Sequence, residues 1–242
     1  MRTSIEGERA LIVGATGGLG KAIAQRLASL GANVVLVGRK VERLEELKEK
    51  CLLFGSKRAD TVPCDINDEA SIKAMAEIVR QTGGLDILVN AAGVVANALL
   101  EKTSTADFDR IFSTNVRGTF IVMRECLDML RASKAAEIIN MASAAAHYGT
   151  KGQSAYGASK FAVLGLSETF ALEIWEEGIH VHVLSPGGVL TDMIKDARPD
   201  LEGVPMIAPD DIADAVEYLV CHRTGATVDE IRIRRTSRPP TF

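Results

Sequence analysis

The chain has no cysteines spaced C-x-x-C, no apolar run approaching the length of a membrane span and no excess of positive charge. Its four cysteines, Cys51, Cys64, Cys126 and Cys221, lie far apart. That spacing speaks against a zinc knuckle or a thioredoxin-like pair. The polar opening Met1–Arg9 carries no apolar leader, so the cysteines read as reduced thiols rather than two disulfides. The lack of a long apolar run excludes a spanning helix. A formal net charge of -4 suits nucleic acid poorly, since that partner selects clustered Lys and Arg. The one basic cluster, Arg232, Arg234, Arg235 and Arg238, reads as a solvated tail. The expectation is a cytoplasmic protein with neither a membrane nor a nucleic-acid partner. No internal repeat, low-complexity stretch or long linker divides it.

What is present is an alternation of short apolar runs and longer amphipathic segments. The runs are Ala10–Val13, Asn33–Val37, Ala59–Cys64, Leu85–Asn90, Ala136–Met141, Ile179–Leu184 and Val228–Ile233. Between them lie helical patterns at Lys21–Leu30, Val41–Phe54, Glu69–Gln81, Thr105–Arg131, Tyr156–Glu177 and Pro209–Cys221. The early runs are apolar throughout, as expected of strands with helices on both faces. Strand–helix alternation predicts an α/β fold, doubly wound around a mainly parallel sheet of seven strands. With 242 residues, 47% of them hydrophobic, one core suffices, and residues 1–242 read as a single domain.

The first run feeds Gly14-Ala15-Thr16-Gly17-Gly18-Leu19-Gly20 and then a helix. Glycines at that junction let the backbone touch a pyrophosphate, and the helix amino terminus offers free N–H groups and partial positive charge. The bland alternative is a tight turn. Two spacings fit: Gly14, Gly18 and Gly20, or Gly14, Gly17 and Gly20. At the end of the second strand, where an NAD-selecting protein usually places an acid, stands Gly38-Arg39-Lys40. An acid would repel a 2′-phosphate; a guanidinium grips it. This favours NADP(H), with NAD(H) as the alternative; Arg39 and Lys40 could also merely open an exposed helix.

Tyr156-Gly157-Ala158-Ser159-Lys160 opens a long helix, and residues four apart share a face. Alone the pattern is weak. Ser143 follows the fifth strand, Asn90-Ala91-Ala92-Gly93 ends the fourth, Asn115 sits inside a helical pattern, and Pro186-Gly187-Gly188-Val189-Leu190-Thr191 follows the sixth. Separately, Ser143 is an ordinary strand-end serine and Asn115 a buried polar residue. Together, in this order, they resemble the short-chain dehydrogenase/reductase family, in its single-domain branch, from Arg9 to Ile233.

The resemblance implies a Rossmann-type fold, with a cofactor half of about residues 1–140 and a catalytic half of about 141–242. The cofactor half would use Gly14, Thr16, Gly17, Gly18, Leu19, Gly20, Arg39, Lys40, Asp65 with Ile66 on the adenine side, and Asn90, Ala91, Ala92 and Gly93. Pro186, Gly187, Val189 and Thr191 would border the nicotinamide. Tyr156 and Lys160 would serve both cofactor and catalysis. Tyr156 is implied as the general acid/base, Ser143 as a donor to the substrate oxygen, and Asn115 as holder of a relay water. No metal is implied. Val13 departs from the family's usual threonine, with a small loss of turn hydrogen bonding. A free tyrosine titrates near pH 10, so bringing it close to neutrality takes about 4 kcal/mol, which the neighbouring Lys160 ammonium, with the oxidised nicotinamide nearby, is expected to supply.

The expected activity interconverts a small carbonyl compound with an alcohol or hydroxy acid, in a homotetramer or homodimer joined through the long helices. A 3-oxoacyl-[acyl-carrier-protein] reductase is the main alternative. Glu137 and Glu177, where such reductases commonly carry arginine, argue against it. A sugar-nucleotide epimerase needs a longer chain, and a nucleotide-sensing regulator would not need both Tyr156 and Lys160. His147 and Tyr148 are expected near the substrate. His180 and His182 read as structural, Trp175 as core or a subunit contact, and Asp192–Met206, with Pro199 and Pro205, as a small lid.

Overall fold

Alternate residues of each central strand go to opposite faces, and both faces are covered. In the strand β1 (Arg9–Val13), Ile12 faces one layer while Leu11 and Val13 face the other; Leu36 against Val35 and Val37 in β2 (Asn33–Gly38), and Val89 against Leu88 in β4 (Ile87–Asn90), repeat the pattern. This two-residue period is what a strand dictates, and apolar residues at every position are what two covering layers require. The computed structural model describes residues 4–197, 202–223 and 225–239.

The remaining strands are β3 (Ala59–Pro63), β5 (Glu137–Met141), β6 (His180–Pro186) and β7 (Glu230–Ile233). Their order is β3-β2-β1-β4-β5-β6-β7, every neighbouring pair parallel. The chain leaves β1 toward β2 and β3, then returns to β4 on β1's other side. Their carboxyl ends therefore flank the reversal point where open parallel sheets bind ligands.

One layer holds α1 (Gly18–Ser29), α2 (Val41–Phe54) and α8 (Pro209–Cys221), packed through Ile23, Leu27, Leu44, Val216 and Val220. The other holds α3 (Glu69–Gln81), α5 (Thr119–Arg131) and α6 (Ser154–Ile174), through Ile72, Met75, Ile121, Val122 and Ile174. Caps set several starts: Asp68 accepts from the Ala70 N–H, and Ser104 from the Asp107 N–H at α4 (Thr105–Phe112).

The expected helix Thr105–Arg131 is one rod with an interruption. Between α4 and α5, Ser113–Gly118 widens into a π turn containing Asn115, a distortion found mostly at functional sites. The fifth helical pattern starts two residues early, at Ser154, and its last turn, Trp175–Glu177, tightens to 3-10 geometry. Trp175 is 68% exposed, so it is not core. The expected lid contains a short helix, α7 (Asp192–Ala197); Pro199 lies outside the described residues.

At the amino ends of β5 and β6, away from that edge, Glu137 is 1% exposed. It faces His182 Nε2 at 2.6 Å and accepts from Arg223 Nε at 2.8 Å, while His182 Nδ1 lies 2.6 Å from the Val228 carbonyl oxygen. His180 Nδ1 is 3.5 Å away. Three residues of metal-ligating type, one carboxylate and two imidazoles, converge here, yet the guanidinium already occupies the carboxylate, making this an ion-pair cluster. Removing one member of such a buried set strands the others. Glu137→Ala is expected to cost about 3–5 kcal/mol, read as a fall of roughly 10 °C in thermal midpoint. A midpoint within about 2 °C of wild type would show the cluster contributes nothing.

Candidate active site

The first wall is the turn after β1. Gly14 and Ala15 each donate to the Val37 carbonyl at 2.9 Å. Gly14 takes φ +82°, and a Cβ there would lie 2.7 Å from the Ala92 backbone. A Cβ on Gly18 would come within 2.6 Å of the Thr191 methyl, and one on Gly20 would drive into the Gly14 carbonyl; Gly17 meets nothing nearer than 3.3 Å. The spacing that sterics require is thus Gly14, Gly18 and Gly20. Helix α1 begins with Gly17 as an N-cap lacking a side-chain bond, and no acid sits in its first turn. Its N–H groups and the positive end of its dipole point to the cavity edge formed by Thr16, Gly17, Gly18 and Leu19.

The second wall joins the ends of β4, β5 and β6 to the start of α6. Ser143 directly follows β5, with its hydroxyl accepting from the Ala145 N–H at 3.1 Å. Tyr156 lies in the first turn of α6 and Lys160 one turn on. Lys160 is 5% exposed, and its Nζ donates to the Met141 carbonyl at 2.7 Å. Burial lowers its pKa to about 8. Nζ stands 5.8 Å from the centre of the Tyr156 ring. Burial raises the Tyr156 phenol, and hydrogen bonding with Ser143 draws it part of the way back. Within the chain itself the phenol therefore stays above its ordinary range; the acidification expected from Lys160 is one for the state with an oxidised nicotinamide beside the ring.

The Asn115 side chain is held by protein partners. Its Nδ2 donates to the Val94 carbonyl and to Ser159 Oγ, both at 3.0 Å, and its Oδ1 accepts from the Val94 N–H at 2.8 Å. Ser159 Oγ donates in turn to the Tyr156 carbonyl at 2.7 Å. The side chain clamps the β4 loop and reaches the backbone of the tyrosine, a positioning arrangement. A Cβ on Gly93 would sit 3.3 Å from Asn115 Oδ1 and 3.7 Å from Lys160 Nζ, so a small residue lets these groups converge. Asn90 lies deeper: its Nδ2 donates to Asn140 Oδ1 at 2.9 Å, and its own Oδ1 is buried with no hydrogen-bond partner.

Both walls enclose one cavity of about 550 Å³, within the roughly 300–1,000 Å³ usual for small ligands and cofactors. Ala91, Ala92, Gly93, Ser143, Tyr156, Lys160, Pro186, Gly187, Val189 and Thr191 line it. Gly14, Gly20, Asn90 and Asn115 shape it from behind. Arg39 and Lys40 are exposed at the end of β2, and Arg43, which the sequence reading missed, reaches the lining. Asp65 accepts from the backbone and side-chain amides of Asn67 at 3.0 Å, with Ile66 between them. Tyr148 lines the cavity, whereas His147 turns to Glu230 at 2.5 Å and Ser185 at 3.2 Å. The largest miss is the tail: Arg234, Arg235 and Arg238 line the cavity rather than solvent alone. The signal was available, since a parallel seventh strand must release its chain at the ligand-binding edge. The uncapped helix end, the glycine cradle and the cavity volume fit a dinucleotide.

A family model described as short chain dehydrogenase matches residues 8–202. The chain belongs to that family. Among short-chain dehydrogenases and their relatives, it is 33% identical to 2,3-dihydro-2,3-dihydroxybenzoate dehydrogenase of Bacillus subtilis, over 91% of this chain and 92% of that protein. It is 30% identical to 3-oxoacyl-[acyl-carrier-protein] reductase FabG of Aquifex aeolicus, over 96% and 97%. A metagenomic short-chain oxidoreductase solved in complex with NADP superposes with TM-score 0.83 at 30% identity, covering 97% of this chain and 99% of that one. Among the described residues no helix is long and apolar enough to cross a membrane.

The buried Lys160 also has a stability signature. Its folded pKa, about 8, lies below the ordinary lysine value of 10.5, so between those values the unfolded chain holds a proton that the folded chain has released. This group therefore makes stability rise with pH across that window, and its full cost applies below it. The expected outcome for Lys160→Met, assayed without added cofactor, is a midpoint that gains on wild type below pH 8, a gain that shrinks toward pH 10. A difference independent of pH would refute the assignment.

Proposed function

We propose that this short-chain dehydrogenase interconverts a carbonyl with a secondary alcohol or hydroxy acid, using NADP(H) in preference to NAD(H). The observation that carries the reading is the placing of Ser143, Tyr156 and Lys160 on one wall of a cavity whose other wall is the uncapped amino end of α1. When bound there, a nicotinamide cofactor supplies or accepts the hydride. The chain's own groups handle the proton. Tyr156 holds its hydroxyl proton and donates it to the substrate oxygen as negative charge grows. Ser143 gives that oxygen a second hydrogen bond. Lys160 spends one N–H on Met141 and keeps the others for cofactor hydroxyls, while Asn115 fixes the loop and helix turn that aim Tyr156.

For cofactor choice, the support is Arg39 at the end of β2 with Arg43 in the first turn of α2 and no acid at the strand end. The four cysteines are buried and, among the described residues, form no disulfide, in keeping with a reducing, cytoplasmic setting. Phe120, Phe161 and Leu172 lie 44%, 50% and 75% exposed on α5 and α6, which supports pairing of copies through these helices. The reading of one domain with a cofactor half and a catalytic half belongs to the same proposal.

A second reading gains from the structure. Glu137, used above against a carrier-protein substrate, is buried in an ion-pair cluster, and Glu177 is paired with Arg131 at 2.7 and 2.9 Å. Neither offers a free negative charge to repel an acidic carrier, although neither supplies the arginine such reductases commonly carry, and the 30% identity to FabG over 96% of the chain supports this second reading.

Tyr156→Phe, assayed by nicotinamide absorbance against ketones, oxo acids and oxoacyl thioesters, is expected to lose at least 100-fold in kcat while keeping its affinity for NADPH. Unaltered turnover would end the catalytic assignment. Arg39→Gln is expected to lower kcat/KM for NADPH by roughly tenfold, the worth of a charge-assisted bond, and to leave NADH unchanged. A wild-type preference for NADH would refute the cofactor reading.

A further inference from the structure

The last strand delivers positive charge to the cavity. Ile233 pairs with Pro186, and the Gly187 N–H donates to the Ile233 carbonyl at 2.7 Å, so the chain leaving β7 runs beside the Pro-Gly loop. A turn follows, closed by the Arg238 N–H donating to the Arg235 carbonyl at 3.1 Å and braced by Arg234 Nη1 donating to the Arg238 carbonyl at 2.6 Å. The turn brings Arg235 and Arg238 to the cavity together with Arg234.

None of these three has a carboxylate within ion-pair distance among the described residues. Arg232, just before them, pairs with Glu230 at 2.9 Å. Arg235 is the telling case. It is half-buried, its Nη1 finds only the Met206 sulfur at 3.3 Å, and its Nε lies 3.8 Å from where a Cβ of Gly188 would stand. A partly desolvated guanidinium facing a thioether has lost water and gained almost nothing in exchange. A planar oxyanion would supply two matched acceptors.

Position separates substrate from cofactor. The order β3-β2-β1-β4-β5-β6-β7 puts Arg235 and Arg238 past β6, on the side of Ser143 and Tyr156, whereas Arg39 stands at the end of β2. We propose that the substrate is an oxo acid or hydroxy acid whose carboxylate is held by Arg235 and Arg238 while its reacting oxygen faces Ser143 and Tyr156. This rests on the catalytic reading above and adds the substrate's charge to it.

The test uses matched pairs: 2-oxo and 3-oxo acids of three to eight carbons and their methyl esters, with dihydroxyacetone phosphate as a phosphate-bearing oxo compound. Calorimetric titration into the full chain saturated with NADP+ reads binding without turnover. NADPH kinetics read KM and kcat. At least one acid is expected to bind tenfold or more tighter than its ester. In the double variant Arg235→Gln/Arg238→Gln that advantage disappears through KM, with ester KM, kcat and the NADPH Kd each within twofold of wild type. No acid–ester difference across the panel overturns the proposal. So does a loss of NADPH affinity in the variant, which would give the arginines to the cofactor, or tighter binding of the phosphate than of every acid. Tyr156→Phe separates the two readings: it is expected to bind the acids like wild type without turning them over. Undiminished turnover there sinks the catalytic reading, while the calorimetric preference decides the carboxylate on its own.

Discussion

Because all seven strands run in one direction, each must release its chain at the same edge of the sheet, and everything chemical in this protein follows from that. The glycine turn leaves β1 there, Gly93 follows β4, Ser143 follows β5, the Pro-Gly loop follows β6, and the arginine-bearing turn follows β7. The opposite edge collects residues whose work is cohesion, with Glu137, His182 and Arg223 closing their charges on one another. The same constraint explains why two helical layers are needed and why the strands have so few polar residues to spare.

The cost of the site is concentrated at Lys160 and Tyr156. Both sit on the helix that begins at the cavity, and burial acts on both: the lysine is pushed toward neutrality and the tyrosine toward keeping its proton. An amine that deprotonates easily is a useful carrier for a proton on its way to or from a phenol. The bond from Lys160 to the Met141 carbonyl ties α6 to the end of β5, so catalytic wall and sheet hold each other in place.

Much of this was legible in the residues. The periods of two and 3.6 marked nearly every element, and α2, α3 and α8 fall on the stretches expected for them, Val41–Phe54, Glu69–Gln81 and Pro209–Cys221. Composition could not show long-range packing. Which glycines are sterically required depends on Ala92 and Thr191, distant in sequence. Asn115's partners, Val94 and Ser159, lie on separate elements. The arginines after Ile233 read as a solvated tail because the strand end they follow was not carried through to the cavity it borders, and the burial of Glu137 was hidden because its partners come from β6 and the segment after α8.

The wide turn at Ser113–Gly118 has an evolutionary reading. A π turn accommodates one surplus residue without rotating the helix on either side, so a relative shortened by one residue there could keep both flanking faces in register and gain a regular rod. What it would forfeit is the outward throw of one amide onto the β4 loop and onto the serine behind the phenol. In this chain the surplus residue thus exchanges a smoother helix for an aimed side chain.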